Sequence, residues 1–298
     1  MCSLIRKTFA PSAKSDVVEF CARNPLPPFH PLQRIERFLG ALTTGPTFVI
    51  DLFDGSRRVA VAVLLDNLPN PLNSACLEII GLSQSTNPVD TLNVILLEAK
   101  KMLPRSKNCI EFVLYAGLPW KIDQLEENGF RESYRLFDMI RSQPFKEHLS
   151  VLPAGYEWAS VASANLAQYH VAIARAFANN LETSVPTLEE MKLNFSAAKN
   201  KALLLLHGSE VIGFTSFFML PTDPCTGEIN TIGVIPEMRG RGFGRLLLMK
   251  AMDSLAKDCG SSYKLTVAAQ NTEALKLYIQ SAFAIVSEAP SLRFVPGQ

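Results

Sequence analysis

The stretch Val234-Ile-Pro-Glu-Met-Arg239-Gly240-Arg241-Gly242-Phe243-Gly244-Arg245 decides how the chain reads. A strand pattern over residues 228–234 leads into it, and an amphipathic helix pattern over residues 245–257 follows at once. Between the two, three glycines alternate with large residues. Glycine lets backbone N–H groups turn inward and approach an anion closely, and a helix N-terminus adds about half a positive charge. Arg239, Arg241 and Arg245 bring full cations to the same end. The segment is built for a di- or polyphosphate. Two nucleotide motifs do not fit it. A dinucleotide fingerprint needs glycine where Arg245 stands and an acidic residue closing the next strand, and residues 263–268 end without one. A P-loop needs Gly-Lys-Ser or Gly-Lys-Thr, and nothing in the chain matches.

The pattern Arg239-Gly-Arg-Gly242-Phe-Gly244, with Val234-x-Pro236 before it, resembles the pyrophosphate-binding signature of the GNAT acyltransferase superfamily. Further on, Asn271-x-x-Ala274-x-x-x-Tyr278-x-x-x-Ala282-Phe283 is similar to that family's second motif, with Ala282 where glycine is common. The motifs stand in the family's order and cover most of residues 202–287. The resemblance implies an N-acetyltransferase that passes an acetyl group from acetyl-coenzyme A to a primary amine by direct attack, with no metal. It implies that the strand ending at Val234 splays from its neighbour, that backbone groups of Ile232 and Val234 meet the pantetheine arm, and that the Val234 N–H polarises the acyl carbonyl. Arg239, Gly240, Arg241, Gly242, Phe243, Gly244, Arg245 and Asn271 complete the implied coenzyme site. Tyr278 matches the general acid that protonates the departing thiolate. Strand parity supports the splay: Ile229 and Ile235 share one alternation phase and Ile232 and Val234 the other, so a bulge between Asn230 and Gly233 is expected.

An attacking amine arrives mostly protonated and needs a base, directly or through water. Glu228, 11 residues before Arg239, is similar in placement to the glutamate base of protein-acetylating members. His170, His207 and Glu182 are alternatives. Without the motif, Tyr278 reads as a packing tyrosine beside Leu275, Leu277 and Ile279, and Glu228 as a carboxylate at a strand start. The acceptor is a small-molecule or peptide amine that leaves no signature of its own. A non-catalytic acyl-coenzyme A sensor is the competing reading, and the presence of both Tyr278 and a candidate base favours the enzyme.

The chain also repeats itself. Residues 76–82 read as a strand followed by a helix pattern over residues 92–103, the plan of residues 228–257. Gly81 and Gly233 lie 152 residues apart, and Phe130 and Phe283, each closing a short helix pattern, lie 153 apart. Turn formers without apolar periodicity over residues 142–155 mark a linker. The expected architecture is a mixed-sheet α/β fold written twice, with domains over residues 1–147 and 148–298. In the first copy, Asn87, Pro88, Val89 and Asp90 replace the segment from Arg239 to Gly242, and Leu125 stands where Tyr278 stands. That copy reads as a domain that kept the fold and lost the coenzyme site.

In the second copy, the sequence predicts a strand over 156–159 and a helix over 165–177 burying Leu166, Val171, Ile173 and Phe177. A second helix over 188–195 starts with a Thr187/Glu190 capping box, and His207-Gly-Ser-Glu210 turns a hairpin between strands 202–206 and 211–220. Strand 263–268, helix 272–280 and a last strand over 283–287 complete it.

Composition narrows the partners. The 298 residues carry 29 Lys+Arg against 28 Asp+Glu and are 48% hydrophobic, which excludes a disordered chain and gives no basic surplus for nucleic acid. No apolar run approaches the ~20 residues of a membrane helix, and Arg6 and Lys7 have no apolar segment behind them. Six scattered cysteines without a Cys-x-x-Cys pair fit reduced thiols in a cytoplasmic protein, monomeric or homodimeric.

Overall fold

The computed structural model describes residues 4–26, 47–65, 73–145, 152–178, 180, 185–189, 191–192, 201–220, 223–258 and 260–297. They fall into two compact units, Met1–Arg135 with Glu288–Gln298, and Leu136–Ser287.

The first unit runs β1 (Leu4–Lys7), α1 (Lys14–Arg23), β2 (Thr47–Asp54), β3 (Arg57–Leu65), β4 (Ser74–Leu82), α2 (Pro88–Met102), β5 (Cys109–Val113) and α3 (Ile122–Glu127), and takes in the start of β6 (Arg131–Arg141). β1 to β4 pair antiparallel in sequence order, and β4 pairs parallel with β5. Alternation along the strands gives the sheet two apolar faces. On one, Leu92, Ile95 and Leu96 of α2 pack on Ile50, Leu52, Leu77 and Phe112. On the other, Val17 and Cys21 of α1 meet Val61, Val63 and Ile80.

The second unit contains β7 (Tyr156–Ser160), α4 (Leu166–Phe177), β8 (Lys201–His207), β9 (Glu210–Leu220), β10 (Asp223–Val234), α5 (Phe243–Lys257), β11 (Ser262–Ala268) and α6 (Thr272–Gln280), and closes in the first residues of β12 (Ala284–Phe294). β7, β8, β9 and β10 pair antiparallel in order, and β10 pairs parallel with β11. α4 covers one face through Tyr169, Ala172, Ile173 and Ala176, packed with Leu204 and Phe214. α5 and α6 cover the other, where Leu248, Met252, Leu255 and Tyr278 meet Tyr263, Leu265, Val267 and Met139.

The same plan therefore appears twice, with one feature that a cut at residue 147 or 148 does not contain. The strand beside β5 is β12, from the C-terminal end of the chain, in register Ser291↔Val113 to Phe294↔Ile110. The strand beside β11 is β6, from the first half, in register Tyr263↔Arg141 to Ala268↔Leu136. Each half thus lends its last strand to the other's sheet, so the compact units divide after Arg135 and after Ser287. The two halves are interlocked in chain order.

Most predicted elements stand where the sequence put them, and α6 matches residue for residue. Val171 is a correction: it is 55% exposed, because the apolar stripe of α4 runs through Leu166, Tyr169, Ala172, Ile173 and Ala176, and a residue two positions from Tyr169 lies about 200° round the helix. β12 continues to Phe294, well past the expected 287. The segment 188–195 lies largely outside the described residues, as do Glu190 of the expected capping box and much of the linker. No helix among the described residues is long and apolar enough to cross a membrane.

Candidate functional site

β10 and β11 hold the centre of the site. They pair over only three residues, Thr226↔Ser262, Gly227↔Tyr263 and Glu228↔Lys264. Beyond Glu228 the pairing stops: β10 continues alongside β9 to Val234, while β11 continues alongside β6 to Ala268. A wedge-shaped gap opens between them with Glu228 at its apex. On β10 the register with β9 shifts between Ile229 and Thr231, so Asn230 is the bulged residue, at the near edge of the expected interval. The bulge resets the alternation and turns Ile232 and Val234 toward the α5 side, where both join the apolar cluster of Phe243 and Leu247. Two glycines make this packing possible. A Cβ on Gly233 would sit 2.2 Å from Phe214 Cζ, and one on Gly227 would sit 2.6 Å from Leu255 Cδ2.

Backbone direction along β10 follows from one bond. The Ile235 N–H donates to Ile212 O on the β9 side. Consecutive residues of an extended chain aim their N–H groups at opposite edges, so the N–H groups of Val234 and Ile232 face the gap.

After Val234 the chain makes a 3₁₀ turn over Pro236–Met238 and enters α5 through Gly240 at φ +74° and Gly242 at φ +83°. Both are left-handed positions that glycine occupies without strain. Among the described residues no side chain caps α5, and its first N–H groups point outward from an exposed turn. Gly244 lies within the helix, where a Cβ would touch Leu277 of α6 at 3.5 Å, which places the open end of α5 beside the helix that carries Tyr278. The three arginines differ. Arg241 and Arg245 are exposed and make no ion pair among the described residues. Arg239 is tied down, its Nε donating to Val234 O at 3.2 Å and its Nη2 to Ala176 O at 2.5 Å. Arg175, one residue from Ala176, pairs with Glu237 at 3.3 Å and with Glu210 at 3.3 Å. This lattice between the end of α4 and the turn has no signature in the sequence: two of its four acceptors are backbone carbonyls, and the other two are carboxylates 35 and 62 residues from Arg175.

Tyr278 lies buried on the inner face of α6, its ring 6.0 Å from that of Phe283, and in one apolar cluster with Ile232. Burial pushes its phenol up to about 12. Asn271 is the N-cap of α6, its side chain accepting from the Ala274 N–H at 3.3 Å. Glu228 is half-buried on the opposite face from Tyr278. Of the alternative bases, His207 stacks on Tyr156 at 4.5 Å, which in turn leans on Phe243 at 5.2 Å; His170 is half-exposed on α4; Glu182 lies outside the described residues.

The family model for the acetyltransferase (GNAT) family matches residues 166–283, which span α4 to the end of α6 and contain every element of this site. Mycothiol acetyltransferase of Beutenbergia cavernae is 34% identical over 117 residues, 38% of this chain and 39% of that protein. Mycothiol acetyltransferase of Clavibacter sepedonicus is 31% identical over 133 residues, 44% of each chain. The match thus spans about two-fifths of the length of these relatives. Fold similarity reaches further. A GCN5-related N-acetyltransferase from Sphaerobacter thermophilus superposes with a TM-score of 0.70 at 15% identity, covering 99% of this chain and 97% of the other. A tandem GNAT protein from the clavulanic acid biosynthesis pathway gives 0.69 at 13% identity, covering 99% of both.

The first unit repeats this fold with the corresponding helix entrance closed. β4 and β5 also pair over just three residues, Ser74↔Cys109 to Cys76↔Glu111, and β4 also has a register shift against β3, between Val61 and Ala62. The helix entrance differs. Asn87 caps α2 with its own side chain, accepting from Val89 N at 2.9 Å and Asp90 N at 3.4 Å, and Pro88 has no N–H to offer. Leu125, in the position of Tyr278, is fully buried.

Proposed function

We propose that the chain is an N-acetyltransferase that moves an acetyl group from acetyl-coenzyme A to a primary amine of a small-molecule acceptor by direct attack, with the domain over residues 148–298 as the catalytic one. The observation that carries the reading is the wedge between β10 and β11, with an uncapped, cationic helix end and a buried tyrosine on one face and a carboxylate at its apex. Bound acetyl-coenzyme A supplies an activated thioester. The open first turn of α5, with Gly240, Gly242, Arg241 and Arg245, holds its pyrophosphate. Gly244 and Phe243 form the floor of that turn, and Asn271 positions α6 rather than touching the ligand. The gap-facing N–H groups of Ile232 and Val234 bind the extended arm, and that of Val234 receives the negative charge growing on the acyl oxygen. Arg239, fixed on the Val234 carbonyl, holds the end of β10 in place beside that N–H.

Glu228 takes the proton from the amine, directly or through a water, and Tyr278 gives one to the leaving sulfur. A phenol raised to about 12 is in its protonated form at neutral pH. The names of the relatives, mycothiol acetyltransferase, fit a small-molecule acceptor. The experiment is thiol release from acetyl-coenzyme A with a panel of primary amines. The wild type turns over, and Tyr278→Phe lowers kcat by about 100-fold while coenzyme A affinity stays within two-fold. Coenzyme A binding without turnover on any amine would identify a sensor instead, and an unchanged rate in Tyr278→Phe would remove the tyrosine from the reaction.

A further inference from the structure

The two units treat one backbone position in opposite ways. α1 and α4 begin 152 residues apart, at Lys14 and Leu166. At that spacing Leu82 corresponds to Val234, Asn24 to Ala176, Arg23 to Arg175 and Asn87 to Arg239. In the first unit the Ser83 N–H donates to Val59 O on the β3 side, so the Leu82 N–H faces the gap beyond the last β4/β5 pair. The Val234 N–H faces the matching gap in the second unit. There the likeness ends. The Leu82 N–H donates to Asn24 O at 3.3 Å: α1 stops at Arg23, and the carbonyl just after it lies on the strand. Asn87 takes no part, because its side chain is folded onto the first turn of α2, and Arg23 pairs with Glu19 of its own helix.

In the second unit α4 runs on to Phe177, which makes Ala176 O a last-turn carbonyl. The donor that a longer helix would bring to it, the Asn180 N–H, bonds Phe177 O instead. Arg239 Nη2 meets Ala176 O at 2.5 Å, while Nε of the same guanidinium donates to Val234 O at 3.2 Å. The N–H and C=O of one extended residue point to the same edge, so the carbonyl that Arg239 grips and the Val234 N–H both lie at the gap. The helix-end carbonyl is thus held one guanidinium away from the N–H whose counterpart it occupies in the first unit.

We propose that Arg239 is a positioning residue that keeps the end of α4 off β10, so that the Val234 N–H stays open for the acyl oxygen. The inference rests on the acetyltransferase reading above and adds what protects its oxyanion donor. Ala176 is buried, and a buried carbonyl that loses its donor takes the nearest N–H within reach. Without the guanidinium, that N–H is the one on Val234, and the first unit displays the resulting arrangement in Leu82 and Asn24. Arg175 does not replace Arg239, because its pairs with Glu210 and Glu237 are exposed and exposed pairs hold weakly.

The test is site-resolved amide hydrogen exchange on the full chain without coenzyme, beside steady-state kinetics. In wild type, after correction for intrinsic rates, the Leu82 amide exchanges about five-fold or more slowly than the Val234 amide. Arg239→Ala slows Val234 exchange by about five-fold or more, where a merely structural loss would speed it. The same variant lowers kcat by about ten-fold with KM for acetyl-coenzyme A within about two-fold, since the lost contact is made to the growing oxyanion. Arg239→Lys, which keeps a donor for Ala176 O, recovers fast exchange and most of the rate, and Arg175→Ala leaves Val234 exchange within about two-fold of wild type. Equal exchange of Leu82 and Val234 in wild type overturns the proposal, and that comparison needs no variant to fold. Unchanged or faster Val234 exchange in Arg239→Ala, or equal slowing in Arg175→Ala, also overturns it. Slowed Val234 exchange in Arg239→Ala, with no amine acetylated by the wild type, supports the spacer and counts against the acetyltransferase reading, so the two can fail separately.

Discussion

Ala282 stands at φ +63° in the same helix-ending turn that Gly129 fills at φ +80° in the other unit. The bonds match as well. Ala282 N donates to Ile279 O and Phe283 N to Tyr278 O, as Gly129 N does to Glu126 O and Phe130 N to Leu125 O. This is the Schellman ending, in which the residue after the helix takes the left-handed conformation. Alanine there costs about 1–2 kcal/mol, and glycine returns about 0.5–1 kcal/mol of that through the freedom of the unfolded chain. Ala282→Gly is expected to stabilise the protein by about 0.5–1 kcal/mol, seen as a higher midpoint in chemical denaturation. Gly129→Ala should do the reverse, since its Cβ would clear Phe294 by 3.5 Å and only the backbone objects. A lower midpoint for Ala282→Gly would refute the assignment of strain.

The three glycines of the turn into α5 are not equivalent. A Cβ at Gly240 or Gly242 meets no atom within 4 Å, so the demand at both is the positive φ alone. At Gly244 the backbone is helical and an added methyl group makes ordinary contact with Leu277. Gly240→Ala and Gly242→Ala are therefore expected to weaken coenzyme A binding by about ten-fold or more through distortion of the turn, each at a conformational cost of about 1–2 kcal/mol. Gly244→Ala should bind within about two-fold of wild type. Equilibrium binding of coenzyme A to the three variants separates these outcomes.

Arg239 and Arg241 are expected to divide structural from ligand duty. Arg239 joins Val234 O to Ala176 O, while Arg241 is exposed and unpaired among the described residues. Arg239→Ala should lower stability by about 1 kcal/mol and reduce kcat as the Val234 peptide loosens. Arg241→Ala should leave the thermal midpoint alone, weaken coenzyme A several-fold and flatten the dependence of its affinity on salt. Equal thermal midpoints for the two variants would mean that the Arg239 bonds carry no load.

Much of this is legible in the sequence. The alternating glycines, the helix after them and the spacing from Asn271 to Phe283 place the second unit's elements within a few residues. The parity conflict between Ile229 and Ile235 on one side and Ile232 and Val234 on the other announced the bulge, which is a backbone event with a side-chain trace. What was not legible had no such trace. Arg239 reads as one more phosphate-binding cation, because a sequence does not show carbonyl acceptors such as Val234 O and Ala176 O. The exchange of β6 and β12 is also hidden, since both strands carry the right alternation for either sheet and local pattern does not choose between partners more than 120 residues away in sequence.

That exchange makes the first unit depend on the end of the chain. Leu292, opposite Phe112, is fully buried in the first unit's core, and Ser291 donates to the Glu111 carboxylate at 2.8 Å, where Tyr134 also binds. Leu292→Ala leaves a cavity there and is expected to cost about 2–5 kcal/mol, although the residue is encoded after every element of the second unit. Hydrogen exchange locates the effect: amides of β4, β5 and α2 should lose protection, while those of α5 and β9 in the second unit change less. A loss of protection confined to β10, β11 and α5 would mean that β12 belongs energetically to the half that encodes it. Ser291→Ala, which keeps the strand and removes only the hydroxyl's polar contacts with Glu111 and Tyr134, should cost about 1 kcal/mol and leave the order of protection intact, separating the loss of core volume from the loss of the polar contacts.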